Sequence, residues 1–319
     1  MKRFLLCVSL FSAIILALAV TGEIMLRRIP TAYTFKNGLV NREKSRVRHL
    51  IIGSSVANAG IDPALLPAGS INMALSGEWM RFNEAVFFKY ANDMPQLQDV
   101  IWGLCYHALW ADDTPEFDRR SVACHRIYMG IGRIDGHPIV SNSELIALGS
   151  LAMRKWSTFY LKGKPTVFCD SLGLDHGYDL SEKKAPWRKE IPMISEMHTK
   201  YFLRDKEGRL YRENVERLHR VAAWCQAHGR PLYIVMPPVH PEYFALMNRR
   251  QLSLIRSAVS EVARRWSCVR YLEYFSDTRF EDDDFYDGNH LTSDRGAQKF
   301  TRILRHDLYG QAAGADRPQ

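Results

Sequence analysis

Five short apolar runs, alternating with helical stretches, constrain this chain more than any other feature. Residues 50–53, 70–75, 99–104, 231–236 and 268–272 each have strand length. Between them, Trp79, Phe82, Val86 and Tyr90 recur near helical spacing within 78–92, and helices are expected over 212–227, 241–266 and 292–308. Asp62-Pro63 opens a further helical turn, and Gly229 supplies a C-terminal stop after the helix expected over 212–227. Parallel strands need crossover helices, so this alternation implies an α/β fold whose mostly parallel sheet is covered on both faces. In such open sheets the ligand site lies beyond the carboxyl ends of the strands. Ser55, Gly77, Tyr106, His240, Asp287 and His290 all follow strand ends and are expected to converge on one rim.

Regularity fails between residues 105 and 199, which read as a large insertion after the third strand. The small, polar tail 310–319 is expected to be disordered. Lys and Arg number 43 against 35 Asp and Glu, a formal charge of +8. The basic residues are dispersed and lack aromatic interleaving, which argues against nucleic acid and for an anionic membrane or glycan. Six cysteines show no C-x-x-C spacing, which disfavours zinc and redox chemistry.

At the N-terminus, Lys2 and Arg3 precede an apolar run from Phe4 to Val20. Its 17 residues would reach about 25 Å as a helix, and the apolar Ile24-Met25-Leu26 beyond brings a span of a ~30 Å hydrocarbon core within reach. A cleaved secretory signal and an uncleaved anchor compete. The length of the run favours residues 1–28 as an anchor, followed by a basic linker, 29–47, and an exported domain over 48–309.

Two short motifs 235 residues apart carry the chemistry. Gly53-Ser54-Ser55 ends the first strand, and Asp287-Gly288-Asn289-His290 precedes the last helix. A serine hydroxyl is a weak nucleophile and needs an adjacent base. His290 is the candidate base, and Asp287, three residues before it, can accept the imidazole Nδ1–H and leave Nε2 for Ser55. The Ser55 and Gly77 N–H groups are candidate oxyanion donors. Asn72, Tyr106, His240 and Asn289 are candidate substrate contacts. Asp294 is expected in the first turn of the last helix, where it would complement the dipole. The acidic run Glu281 to Asp284 reads as a solvated loop, because consecutive acids point in alternating directions and make no coordinating shell. No metal or cofactor is implied.

These residues resemble the SGNH/GDSL hydrolase superfamily. Gly53-Ser54-Ser55 is similar to its first block with Ser54 in place of Asp, and Asn72 to Gly77 is similar to the second. Asp287-x-x-His290, with Leu291-Thr292 and Gly296-Ala297, is similar to the last. The resemblance covers residues 46–110 and 208–308, and the asparagine of the third block has no counterpart. It implies a flavodoxin-like three-layer α/β/α sandwich and Ser-Asp-His catalysis. With an N-terminal anchor, the chain is similar to exported branches acting in teichoic-acid D-alanylation and alginate O-acetylation. The resemblance therefore implies an O-acyl transferase or esterase for a cell-envelope polysaccharide, anchored on the periplasmic side of the inner membrane. A polytopic membrane acyltransferase would be its partner. The competing expectation is a non-catalytic glycan-binding or scaffolding protein on the same sheet.

Overall fold

The computed structural model describes residues 1–111, 115–132, 142–184 and 186–310, so the tail after Gly310 lies outside the described residues. In chain order the first elements are α1 (Lys2–Arg28), α2 (Ala32–Glu43), β1 (His49–Gly53), α3 (Ser55–Asn58), β2 (Ser70–Asn72), α4 (Met80–Tyr90) and β3 (Asp99–Gly103). Then come α5 (Pro115–Met129), α6 (Glu144–Leu148), α7 (Ser150–Trp156), α8 (Ile191–Arg204) and α9 (Arg209–Ala227). The remaining elements are β4 (Leu232–Met236), α10 (Pro241–Leu246), α11 (Arg249–Arg265), β5 (Val269–Glu273) and α12 (Gly296–Tyr309).

Two compact units result. One joins Met1–Asn37 to Asp113–Val167, and the other joins Gly38–Asp112 to Phe168–Gln319. The expected insertion is therefore not one body: its middle belongs with the N-terminal helix, and its last third belongs with the sheet. In the first unit α1 is long and apolar enough to cross a membrane, and it leaves its apolar window unburied. The expected linker is largely helical, as α2.

The second unit holds a five-stranded sheet, all parallel, in the order β2-β1-β3-β4-β5. Every residue of β1, β3 and β4 is buried, as expected for strands covered on both faces. Ile51, Ile101, Tyr233 and Val235 pack on one face with Phe300, Leu304 and Leu308 of α12. Strand alternation sends Leu50, Ile52, Val100 and Trp102 to the other face. There Trp102 donates its indole N–H to Asn83 of α4 at 3.2 Å. Helices thus cover both faces in the three-layer sandwich that the sequence implied. The strand order reverses direction at β1, so the crevice between the carboxyl ends of β1 and β3 is the topological switch point.

Two glycines bring α3 against that crevice. Gly53 has φ +143°, and a Cβ there would sit 2.4 Å from the Gly103 carbonyl oxygen and 2.9 Å from the Ala57 Cβ. A Cβ on Gly103 would lie 2.6 Å from the same Ala57 Cβ. Gly53→Ala is expected to cost about 2–5 kcal/mol through backbone strain and overpacking. A clear drop in melting temperature checks this.

Several expected boundaries move for local reasons. The helix expected over 241–266 is two helices, because Asn248 caps α11 by accepting the Gln251 N–H. The last helix starts at Gly296 rather than 292, since the Thr292 hydroxyl accepts the Gly296 N–H. Asp294 therefore has no place in its first turn and accepts the Leu180 N–H instead. The acidic run is tied down rather than merely solvated: Glu281 and Asp284 form a capping box, and Asp284 pairs with Arg295 and Lys299.

Candidate active site

Ser55 is the first residue of α3, directly past the carboxyl end of β1. Its half-buried side chain places Oγ 2.7 Å from His290 Nε2. The other imidazole nitrogen, Nδ1, lies 2.9 and 3.0 Å from the two Asp287 carboxylate oxygens. The same carboxylate accepts the backbone N–H groups of Asn289 and His290, each at 2.9 Å. Asp287 thus folds the loop that carries His290 and aims the ring with one group. Burial pushes the Asp287 carboxyl up, but the charge and hydrogen bond of His290 and the two backbone N–H groups outweigh it. The carboxyl is held below its ordinary range. An ionised Asp287 accepts the Nδ1–H, and Nε2 is then the acceptor for the Ser55 hydroxyl. The geometry is that of a nucleophile, a base and an orienting carboxylate.

Gly77 follows β2 with φ +73°. Among the described residues, no acceptor meets the N–H of Gly77 or that of Ser55. Asn289 places its side-chain amide 3.4 Å from His290 Nε2, beside the reacting atoms.

The other three expected substrate contacts are turned inward and have partners within the protein. Asn72 is fully buried; it donates to the Ala57 and Ile61 carbonyls and accepts the Ala74 N–H, bracing the loops after β1 and β2. Tyr106 is buried, with its hydroxyl against the Thr199 hydroxyl. His240 is buried at the start of α10, where Nδ1 accepts the Glu242 N–H and Nε2 meets Asp282.

Sequence reasoning missed a second layer. The Tyr178 ring tilts against the His290 imidazole, with centroids 5.1 Å apart. Its hydroxyl meets Ser76 Oγ at 3.2 Å, and Asn58 bridges Ser76 Oγ and the Asp175 carboxylate at 3.0 and 2.9 Å. Burial pushes the Tyr178 phenol up to about 12, so it stays protonated. Ser76 precedes the glycine that was singled out, whereas Tyr178 lies in the irregular stretch, where no periodicity marks it. Tyr178→Phe keeps the ring and is expected to cost less than about tenfold in turnover. Tyr178→Ala frees the imidazole and is expected to cost about 10²-fold, read as kcat on an ester.

Beneath the rim, His107 stacks on His198 with centroids 3.7 Å apart, and the Tyr243 hydroxyl meets His198 Nδ1 at 2.5 Å. Burial pushes His198 down to about 3, with His290 adding to the shift and Asp287 opposing it. Burial also pushes His107 well down. The folded state therefore refuses protons that the unfolded chain takes up below the ordinary histidine range. Stability is expected to fall as pH drops from about 6.5 towards 3, and the urea midpoint of His198→Phe should depend less steeply on pH. Cys105, 3.3 Å from His107 Nε2, is pushed up to about 12 by burial, so it remains a thiol and not a competing nucleophile.

A cavity of about 480 Å³ bordered by Arg46, Arg48, Leu66 and Ile71 lies at the amino ends of β1 and β2, the end of the sheet opposite Ser55. The side chains of His290 and Asp287 remain partly exposed, at 14% and 18%.

No family model matches the chain, and no curated protein matches it. Among solved structures, it is similar to a Streptococcus pneumonia protein provisionally named a platelet activating factor. The two share 9% identity at a TM-score of 0.42, over 94% of this chain and 99% of the other. At that identity and score, nothing about chemistry follows.

Proposed function

We propose that the protein is an SGNH-like serine O-acyltransferase or esterase, anchored by α1 on the extracytoplasmic side of a membrane and acting on O-acyl, chiefly acetyl, groups of a cell-envelope polysaccharide. The observation that carries this reading is the unbroken chain from Ser55 Oγ through His290 to Asp287 at the switch point of a parallel sheet. In the first half-reaction, Ser55 Oγ attacks the acyl carbonyl while His290 Nε2 takes the hydroxyl proton. The Ser55 and Gly77 N–H groups receive the developing oxyanion. Collapse expels the donor's oxygen, which leaves with the proton from His290, and the acyl group stays on Ser55. A sugar hydroxyl or water then gives its proton to His290 and attacks the ester, restoring Ser55. Asp287 stays ionised and stabilises the imidazolium in both halves. A polytopic membrane acyltransferase fits as the source of acyl groups.

The experiment is turnover of 4-nitrophenyl acetate by the full chain in detergent, with and without a soluble polysaccharide. Ester consumption and acetate appearing on the polysaccharide support transfer, and free acetate alone supports hydrolysis. Absence of both under any acceptor ends the enzymatic reading.

A further inference from the structure

We propose that residues 143–166 form a second membrane contact, a short helical segment seated at the headgroup–acyl boundary of the bilayer that α1 crosses. This rests on reading α1 as an anchor. The segment contains α6, α7 and the π-helical turn Ser157–Leu161, and it lies within the first unit.

It is bound along the last turns of α1. The Glu23 carboxylate accepts the backbone N–H groups of Glu144 and Leu145 at 2.9 and 2.8 Å and the Ser143 hydroxyl at 3.0 Å. Lys155 Nζ donates to the Leu26 carbonyl at 3.3 Å, and the Tyr160 hydroxyl donates to the Met25 carbonyl at 3.1 Å. Leu148 and Ala152 bury against Leu26 and Ile29.

Depth follows from helix geometry. Glu23 and Leu26 stand three and six residues past Val20, where the apolar run ends. Because the run is about 5 Å short of a ~30 Å hydrocarbon core, the boundary falls at about Glu23, and Leu26 lies about 5 Å beyond it. The headgroup layer adds about 5–8 Å on each side of the hydrocarbon core. The contacts with α1 thus hold the segment at headgroup depth.

At that depth the segment exposes several large apolar side chains. Ile146, Met153 and Leu161 are 56%, 66% and 70% exposed, and Leu151 is exposed too. Exposed Arg154, Lys162 and Lys164 lie among them, with Trp156 and Tyr160 alongside. Facing water, so dense a group of large apolar side chains is costly. Facing the boundary, each class finds its solvent: acyl chains for the aliphatics, the interface for the aromatics and anionic headgroups for the cations. A lone spanning helix leaves its unit free to rotate about the helix axis, and a second contact removes that freedom.

The test uses the full chain in nanodiscs of phosphatidylcholine and phosphatidylglycerol, with a fluorescent amino acid incorporated at position 153, 161 or 11. Doxyl-labelled lipid probes lipid contact, and iodide probes water. The expected result is a fluorescence loss of about twofold with doxyl lipid at 153 and 161, with little effect of iodide. Quenching at both positions by iodide and not by lipid overturns the proposal, and lipid quenching at position 11 in the same discs shows that the anchor still stands. Protection from both quenchers at 153 and 161 means that protein covers the segment, which also overturns it. Absence of lipid quenching at position 11 removes the anchor, and this inference with it.

Discussion

Ser55→Ala should lower ester turnover by about 10³-fold or more while leaving the melting temperature within about a degree of wild type. The first part follows from chemistry: without Oγ no acyl-enzyme can form, and the residual rate is what the oxyanion donors and binding provide. The second part follows from packing. Among the described residues the Ser55 hydroxyl has one hydrogen-bonding partner, His290 Nε2, and the side chain is half-buried. Removing it leaves the imidazole a neighbouring amide at Asn289, and the ring is already partly exposed. Loss of turnover with an unchanged melting curve separates a missing nucleophile from a damaged fold. A variant that keeps more than about a tenth of the activity would place the chemistry elsewhere.

Asp287→Asn is expected to be at least as severe, about 10⁴-fold in kcat, for a different reason. The amide oxygen can still accept the Asn289 and His290 N–H groups that fold the loop. The amide nitrogen, however, donates to Nδ1 and forces the imidazole to carry its proton on Nε2. In that tautomer the ring cannot accept the proton of Ser55. The substitution also has a stability signature whose sign follows from the depressed carboxyl. A carboxyl held below its ordinary range stabilises the fold above the unfolded value, near 4, and that contribution is lost as pH falls through the lower folded value. Wild type should therefore be more stable than Asp287→Asn at neutral pH, and the two should converge in strong acid. Urea unfolding at pH 7 and near pH 3 checks both ends.

The parts of this molecule that periodicity governs were legible before the structure. The runs containing Leu50, Val100 and Leu232 are short, apolar and separated by helical patterns, so the parallel sheet followed from their order, and the rim followed from the sheet. Ser55, Asp287 and His290 follow strand ends, and that placement is a sequence observation. Side-chain direction is not. Asn72, Tyr106 and His240 also follow or end strands, yet each turns inward to satisfy buried backbone or hydroxyl groups. Nothing in a one-dimensional pattern separates a rim residue that faces solvent from one that braces the rim. Tyr178 shows the opposite failure. It reaches His290 from an irregular stretch held by loop contacts, such as the Asn72 N–H donating to the Leu172 carbonyl and the Asp175 N–H to the Asn58 carbonyl. Such contacts are long-range and leave no period. Dividing the 105–199 stretch between two units was equally invisible, because it depends on which segments pack together.

The most direct measurement is covalent. The full chain, treated with a fluorophosphonate and digested, is read by peptide mass spectrometry. The account requires the adduct on Ser55, greatly slowed in His290→Ala and absent in Ser55→Ala. Labelling that persists unchanged in Ser55→Ala, or that maps to a different residue, contradicts it.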